Sequence, residues 1–108
     1  MAAYLTVLTT TGSEESAHAL ARAAVKGRLA ACAQIEAPIT SVYRWRGEIH
    51  TDPEWRVHLK TTDARYPALE ALLLETHPYD VPEIIATAID RGSDAYLRWL
   101  DEETDTRR

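Results

Sequence analysis

Apolar and polar positions along this chain follow a period that switches between two and about three and a half, and each switch marks a new element. Tyr4 to Thr11 is rich in Thr, Val and Leu and predicts a first strand. Thr11-Gly12-Ser13-Glu14 supplies a helix start, with a Thr or Ser cap and an acidic first turn that suits the helix dipole. Ala17, Leu20, Ala21, Ala24 and Val25 then form one apolar stripe, Glu14, His18 and Arg22 form a polar row, and Gly27 is a stop signal. Ala30 to Arg46 is too long for one strand and Pro38 interrupts it, which predicts two strand pieces about a bend or bulge. In the second piece Ile39, Ser41, Tyr43 and Trp45 share one face, and Val42, Arg44 and Arg46 the other. Residues 47–53 read as a turn region. Beyond it Trp55, Val57 and Leu59 alternate with Arg56, His58 and Lys60 in a further strand. A second helix is expected to start at Thr62 or Asp63, to tolerate Pro67 in its first turn, and to bury Leu69, Leu72, Leu73 and Thr76.

The stretch Thr76-His77-Pro78-Tyr79-Asp80-Val81-Pro82-Glu83-Ile84 carries the most information. Its two prolines stiffen the chain and push the residues before them out of the helical region. His77 is therefore expected to end the helix, Val81 to be extended, and Tyr79 and Glu83 to stand on a stiff loop, where small domains commonly place their chemistry. Glu83 to Ile89 reads as a strand, and Arg91-Gly92-Ser93-Asp94 as a turn into a brief helix with Tyr96, Leu97, Trp99 and Leu100. The order predicts an α+β fold: a ferredoxin-like βαββαβ sandwich with a long central hairpin and an extra C-terminal helix. One domain is expected over residues 1–102, with a frayed tail over 103–108. In that plan both main helices cover one sheet face, and the other needs burial. The aromatic hairpin residues Tyr43, Trp45 and Trp55 are the expected contact in a symmetric oligomer.

A length of 108 residues fits one core, and 45% apolar with 27% charged residues is an ordinary globular balance. The net charge of −5 argues against a nucleic-acid partner. A single cysteine, Cys32, excludes an intrachain disulfide framework and suits a reducing compartment. Met1-Ala2-Ala3-Tyr4 leads straight into a strand pattern, without a basic segment or a long apolar span. The expectation is a cytoplasmic protein without a membrane partner.

Five segments resemble the CutA divalent-cation tolerance proteins, in that family's order and spacing. They are Leu29-Ala30-Ala31-Cys32, Ser41-Val42-Tyr43-Arg44-Trp45-Arg46-Gly47, Lys60-Thr61-Thr62, His77 to Ile84, and Tyr96-Leu97-Arg98-Trp99-Leu100. The resemblance implies a homotrimer similar in plan to the PII signalling proteins. It also implies a response to copper and other divalent metal ions, and a eukaryotic branch associated with anchoring acetylcholinesterase.

Candidate chemistry follows from these residues. Cys32, His77 and Glu83 offer one thiol, one imidazole and one carboxylate, a set for copper or another weakly bound divalent cation if the fold gathers them. The plainer readings are a small buried hydrophobe for Cys32, a helix C-cap for His77, and an ion pair with Lys60 or an arginine for Glu83. His18 and His50 read as surface residues. His58 joins a basic strip with Arg44, Arg46, Arg56 and Lys60, suited to an anion or to acidic cross-strand partners. A second function class is a PII-like signalling or scaffold trimer that binds a small anionic effector or a partner protein. Its inter-subunit cleft would lie near Lys60, Tyr79, Glu83 and Trp99. A Cys32–His77 hydrolytic pair lacks an orienting residue and an oxyanion hole, so no enzyme and no organic cofactor is expected.

Overall fold

The β-rich order is realised in a computed structural model that describes residues 3–107. Met1 and Ala2 of the expected domain and Arg108 of the expected tail lie outside the described residues. In chain order the elements are β1 (Tyr4–Thr11), α1 (Glu14–Lys26), β2 (Cys32–Ile35), β3 (Ile39–Trp45), β4 (Glu48–Thr62), α2 (Tyr66–Thr76), β5 (Ile84–Ala88) and α3 (Asp94–Glu103). The antiparallel sheet runs β2-β4-β1-β5, with β3 also paired to β4, as the ferredoxin-like plan requires.

Register places the core. Val7 stands between Leu59 and Ala86, and with Val57 it meets Leu20, Ala24, Leu69 and Leu73 of α1 and α2. The α1 cap is Ser13, whose hydroxyl accepts the Ser16 amide. At the other end Gly27 keeps φ at −79°, and Arg28 takes the left-handed conformation at φ 60°. From there its guanidinium donates to the backbone oxygens of Glu102 and Asp105, at 2.7 and 3.0 Å. Those contacts serve the negative end of α3, where Thr104 is buried, so the helix extends one residue past the expected domain limit.

Three local expectations are corrected. The hairpin turns on Arg46 and Gly47 alone, with φ 50° and 81°, so residues 48–53 are strand and not turn. Pro53 is tolerated there because the segment pairs with β3 on one side only. Second, α2 begins from Arg65 with no side-chain cap; the Thr62 hydroxyl accepts the Arg65 amide in the turn before it. Third, Thr76 is exposed and returns its hydroxyl to the Leu72 carbonyl, leaving Leu69 and Leu73 as the buried pair.

The bend at Pro38 is a register shift. Pairing moves from Ile35 opposite Val57 to Ile39 opposite Glu54, so residues 36–38 face only 55 and 56. Beyond this bulge the β3–β4 hairpin projects from the sheet. The radius of gyration is 14.4 Å, against about 13 Å for a compact chain of this size, and the extents are 44 × 25 × 24 Å. By strand alternation Thr10, Leu8 and Thr6 of β1 share the second sheet face with Arg56, His58 and Lys60. That face is not left wholly open. One end is covered by α3, where the Tyr4 hydroxyl donates to Asp101 and Leu100 is fully buried.

Candidate functional site

At the opposite end, the loop after α2 folds back onto the base of the hairpin. His77 is the C-cap of α2, with extended φ and ψ of −71° and 138°. Its Nδ1 accepts the Tyr79 amide at 3.1 Å, so the ring proton sits on Nε2, which donates to the Thr10 carbonyl at 2.9 Å. Burial pushes the imidazole below its ordinary pKa, against the opposing pulls of the Thr10 carbonyl and the Glu54 charge. The bonded loop turns the Tyr79 hydroxyl onto Glu54, to which it donates at 2.8 Å. Burial and then this bond to Glu54 raise the phenol's pKa far above its usual range, so Tyr79 remains a donor. Gly12 makes room for it: a Cβ there would lie 3.1 Å from the Tyr79 hydroxyl.

The hairpin supplies the other wall. Ser41, Tyr43 and Trp45 stand opposite Asp52, His50 and Glu48, so an aromatic row faces a mainly acidic one. The Tyr43 hydroxyl donates to Asp52 at 2.7 Å, its ring stacks on His50, and the Asp52 bond raises its pKa. Between loop and hairpin lies an open cavity of about 590 Å³, lined by Tyr43, Trp45, Glu54, Tyr79, Asp80 and Glu83 among others. Glu54, near its base, is only 8% exposed. Among the described residues no lysine, arginine or histidine forms an ion pair with Glu54, Asp80 or Glu83.

The expected metal set is not gathered within one chain. Cys32 stands opposite Lys60, whereas Thr10, which His77 contacts, stands opposite Arg56. Four positions separate those two partners, about 13 Å along a strand at ~3.3 Å per residue. Both ring nitrogens of His77 are already engaged. Among the described residues no group of three or more His, Cys, Asp or Glu is arranged to hold a metal ion. Cys32 instead neighbours Tyr96 of α3, whose phenol pKa is raised by burial and then by the thiol. Glu83 is exposed at the cavity rim and makes no ion pair with Lys60.

Within one chain, the residues expected at the inter-subunit cleft do not share one cavity. Tyr79 and Glu83 line the cavity; Lys60 and Trp99 do not. Lys60 donates to Gln34 at 2.5 Å, and Trp99 tilts against Tyr96 on α3. Within one chain Lys60 is therefore absent from this cavity, whose lining includes the carboxylates of Glu54, Asp80 and Glu83. The basic strip is dispersed as well. Glu36 binds Arg56 at 3.1 Å and contacts His58, which lowers the glutamate's pKa, while Arg46 lies over the Trp45 ring at 5.3 Å. Of the three expected contact aromatics, Tyr43 and Trp45 are exposed, and Trp55 packs in part against the chain's own core. His18 pairs with Glu14, as a surface row predicts, and His50 lies in β4 beside Glu48. Glu54 and Asp80 are the residues that sequence reasoning missed. The signal for Glu54 was its place two positions before Arg56 on an alternating strand, obscured once residues 47–53 were read as a turn.

Residues 5–103 match the profile of the CutA1 divalent ion tolerance proteins. The chain is 47% identical over 98 residues to the divalent-cation tolerance protein CutA of Thermus thermophilus, covering 91% of this chain and 95% of that protein. It is 39% identical over 94 residues to protein CutA of Mus musculus, covering 87% of this chain but 53% of the mouse protein. The chain thus spans about half the length of that mammalian relative. The crystal structure of CutA1 from Oryza sativa superposes with a TM-score of 0.93 at 36% identity, over 97% of this chain and 96% of that one.

Proposed function

The chain belongs to the CutA1 divalent ion tolerance family, and from that premise we propose that it acts in the response to divalent metal ions. In this reading it is a homotrimer of the PII-like plan that binds copper or another divalent cation weakly, in the cytoplasm. The observation that carries the reading is the convergence of Glu54, Asp80 and Glu83 on one cavity without a paired base among the described residues. Carboxylates are hard oxygen donors, and because these three are not arranged to hold an ion within one chain, a weak, exchangeable site there needs donors from outside it. Assembly is supported by Val42, Ile49 and Val81, each more than two-thirds exposed on the projecting hairpin and the loop. Further donors then come from a neighbouring copy. Binding, not a reaction, is the proposed activity, and no helix among the described residues is long and apolar enough to cross a membrane.

Native mass spectrometry of metal-free protein is expected to give three times the 12.1 kDa chain mass. Calorimetric titration with copper is expected to show weak binding that survives Cys32→Ser and falls in a Glu54→Gln, Glu83→Gln double variant. A stable monomer at micromolar concentration overturns the assembly, and unchanged copper affinity in the double variant overturns the site.

A second reading, a ligand-binding trimer, is favoured by the size of the cavity, which far exceeds the space a single ion needs. The three carboxylates in the lining and the bond of Lys60 to Gln34 favour a cation over the anion that the sequence suggested.

A further inference from the structure

We infer that copies of this chain meet on the sheet face that α1 and α2 leave open, around the row Gln34, His58, Leu8 and Ile85, and that protonation of His58 in this contact loosens the assembly. The inference rests on the homotrimer reading and adds to it the surface and its control.

Register builds the row. Gln34 stands opposite His58, His58 opposite Leu8, and Leu8 opposite Ile85, so four strands each contribute one residue to a line across the sheet. By strand alternation the row lies on the side away from Val57, Leu59 and the two helices. Ile85 is 52% exposed and Leu8 half-buried, an apolar patch that meets water in the single chain. α3 reaches only the end of this face where Tyr4 binds Asp101. The occupant is a second copy, because the patch continues through Ile85 toward Val81, which already supports assembly.

The charges beside the patch are unbalanced. Glu36 accepts from Arg56 at 3.1 Å and contacts the His58 imidazole. On the same strand Lys60 donates to Gln34. The remaining titratable groups on this face stand off the row: Glu83 precedes β5 at the Thr9 end, Cys32 and Tyr96 lie together, and Asp101 is held by Tyr4. The His58 contact lowers the Glu36 pKa, burial opposes it and Arg56 assists. The glutamate therefore stays ionised across the range, about pH 8 to 5, in which an imidazole changes charge.

The sign follows from what contact removes. In the single chain an added proton on His58 faces Glu36 and remains open to water. Between copies that water is lost, and every copy brings the same surplus of Arg56, Lys60 and imidazolium over Glu36. Desolvation and like-charge repulsion then both penalise the proton. The separated state binds protons more readily than the assembled one, so acidification favours separation.

The test follows subunit exchange between unlabelled and isotope-labelled full-length protein by native mass spectrometry, in sub-denaturing urea, at about pH 8 and about pH 5.5. Exchange is expected to be at least tenfold faster at the lower pH. His58→Gln keeps a donor for Glu36 without titrating, and His58→Leu keeps the bulk; both are expected to exchange at one rate at the two pH values, with melting temperatures close to the parent's. Ile85→Lys is expected to exchange at least tenfold faster than the parent at pH 8. A parent rate indifferent to pH, or a pH dependence kept by both His58 variants, overturns the control by His58. An Ile85→Lys rate equal to the parent's removes this face from the contact. A protein that is monomeric at both pH values overturns the homotrimer reading itself, whereas a trimer indifferent to pH overturns this inference alone.

Discussion

The hydroxyl of Tyr79 donates to the carboxylate of Glu54 at 2.8 Å, across 25 positions of sequence, and this bond closes the loop after α2 onto β4. The link is indirect at its other end, where the Tyr79 amide is held by His77 and His77 by Thr10. Loop, first strand and hairpin base are therefore tied together by three hydrogen bonds. A change at any member is expected to reach the cavity.

Tyr79→Phe removes the donor and leaves Glu54 buried without it. Stability is expected to fall by about 1–2 kcal/mol, below the usual cost for a fully buried charged bond because Tyr79 is partly exposed. A urea denaturation cycle with Glu54→Leu, which cannot accept the bond, checks this. If the two changes add without coupling, the bond does not hold the loop.

The pH response of His77 has a defined sign. Its folded pKa lies below the ordinary 6.5 because burial disfavours the charged ring. The unfolded chain then binds more protons, so His77's contribution is complete well above pH 6.5 and is lost as the pH falls from there toward the folded value. Glu54 faces the ring and opposes this shift without reversing it. Denaturation midpoints measured between about pH 8 and pH 5.5 are expected to fall on acidification, with a shallower fall in His77→Gln, whose amide can still donate to Thr10. Equal slopes in the two proteins count against a buried neutral imidazole.

Thr9 is fully buried, and its hydroxyl finds no partner among the described residues. It stands between Val57 and Ile84 on the helix-covered side of β1. Thr9→Val keeps the shape and removes an unmet polar group, so a gain of about 1 kcal/mol is expected. Differential scanning calorimetry reads it as a higher melting temperature; a lower one means the hydroxyl has a partner.

Much of the architecture was legible in residue order. The stripe of Leu20, Ala21 and Ala24, the alternation of Val57 and Leu59, and the break at Pro38 each report a local period, and local periods are set by backbone geometry. His77 as a helix end followed from the proline after it. The family resemblance added the protomer fold and the family, and the match over residues 5–103 and the superposition on the Oryza sativa structure bear these two out. The hairpin turn was misread because Glu48 to Pro53 looks polar and proline-broken, whereas two residues at positive φ suffice to reverse the chain.

The site was legible only in part. Composition and order alone determined the elements, their sequence and the stiff loop that carries Tyr79 and Glu83. Which distant groups share a space was decided by register and by the one-residue shift between Ile35 and Ile39, which fixes where the hairpin leaves the sheet. That placement set Glu54 under Tyr79, sent Lys60 to Gln34, and kept Cys32 beside α3. A strand's periodicity tells which side a residue faces, but not what another segment will bring against it, because that depends on contacts the chain makes only once it has folded.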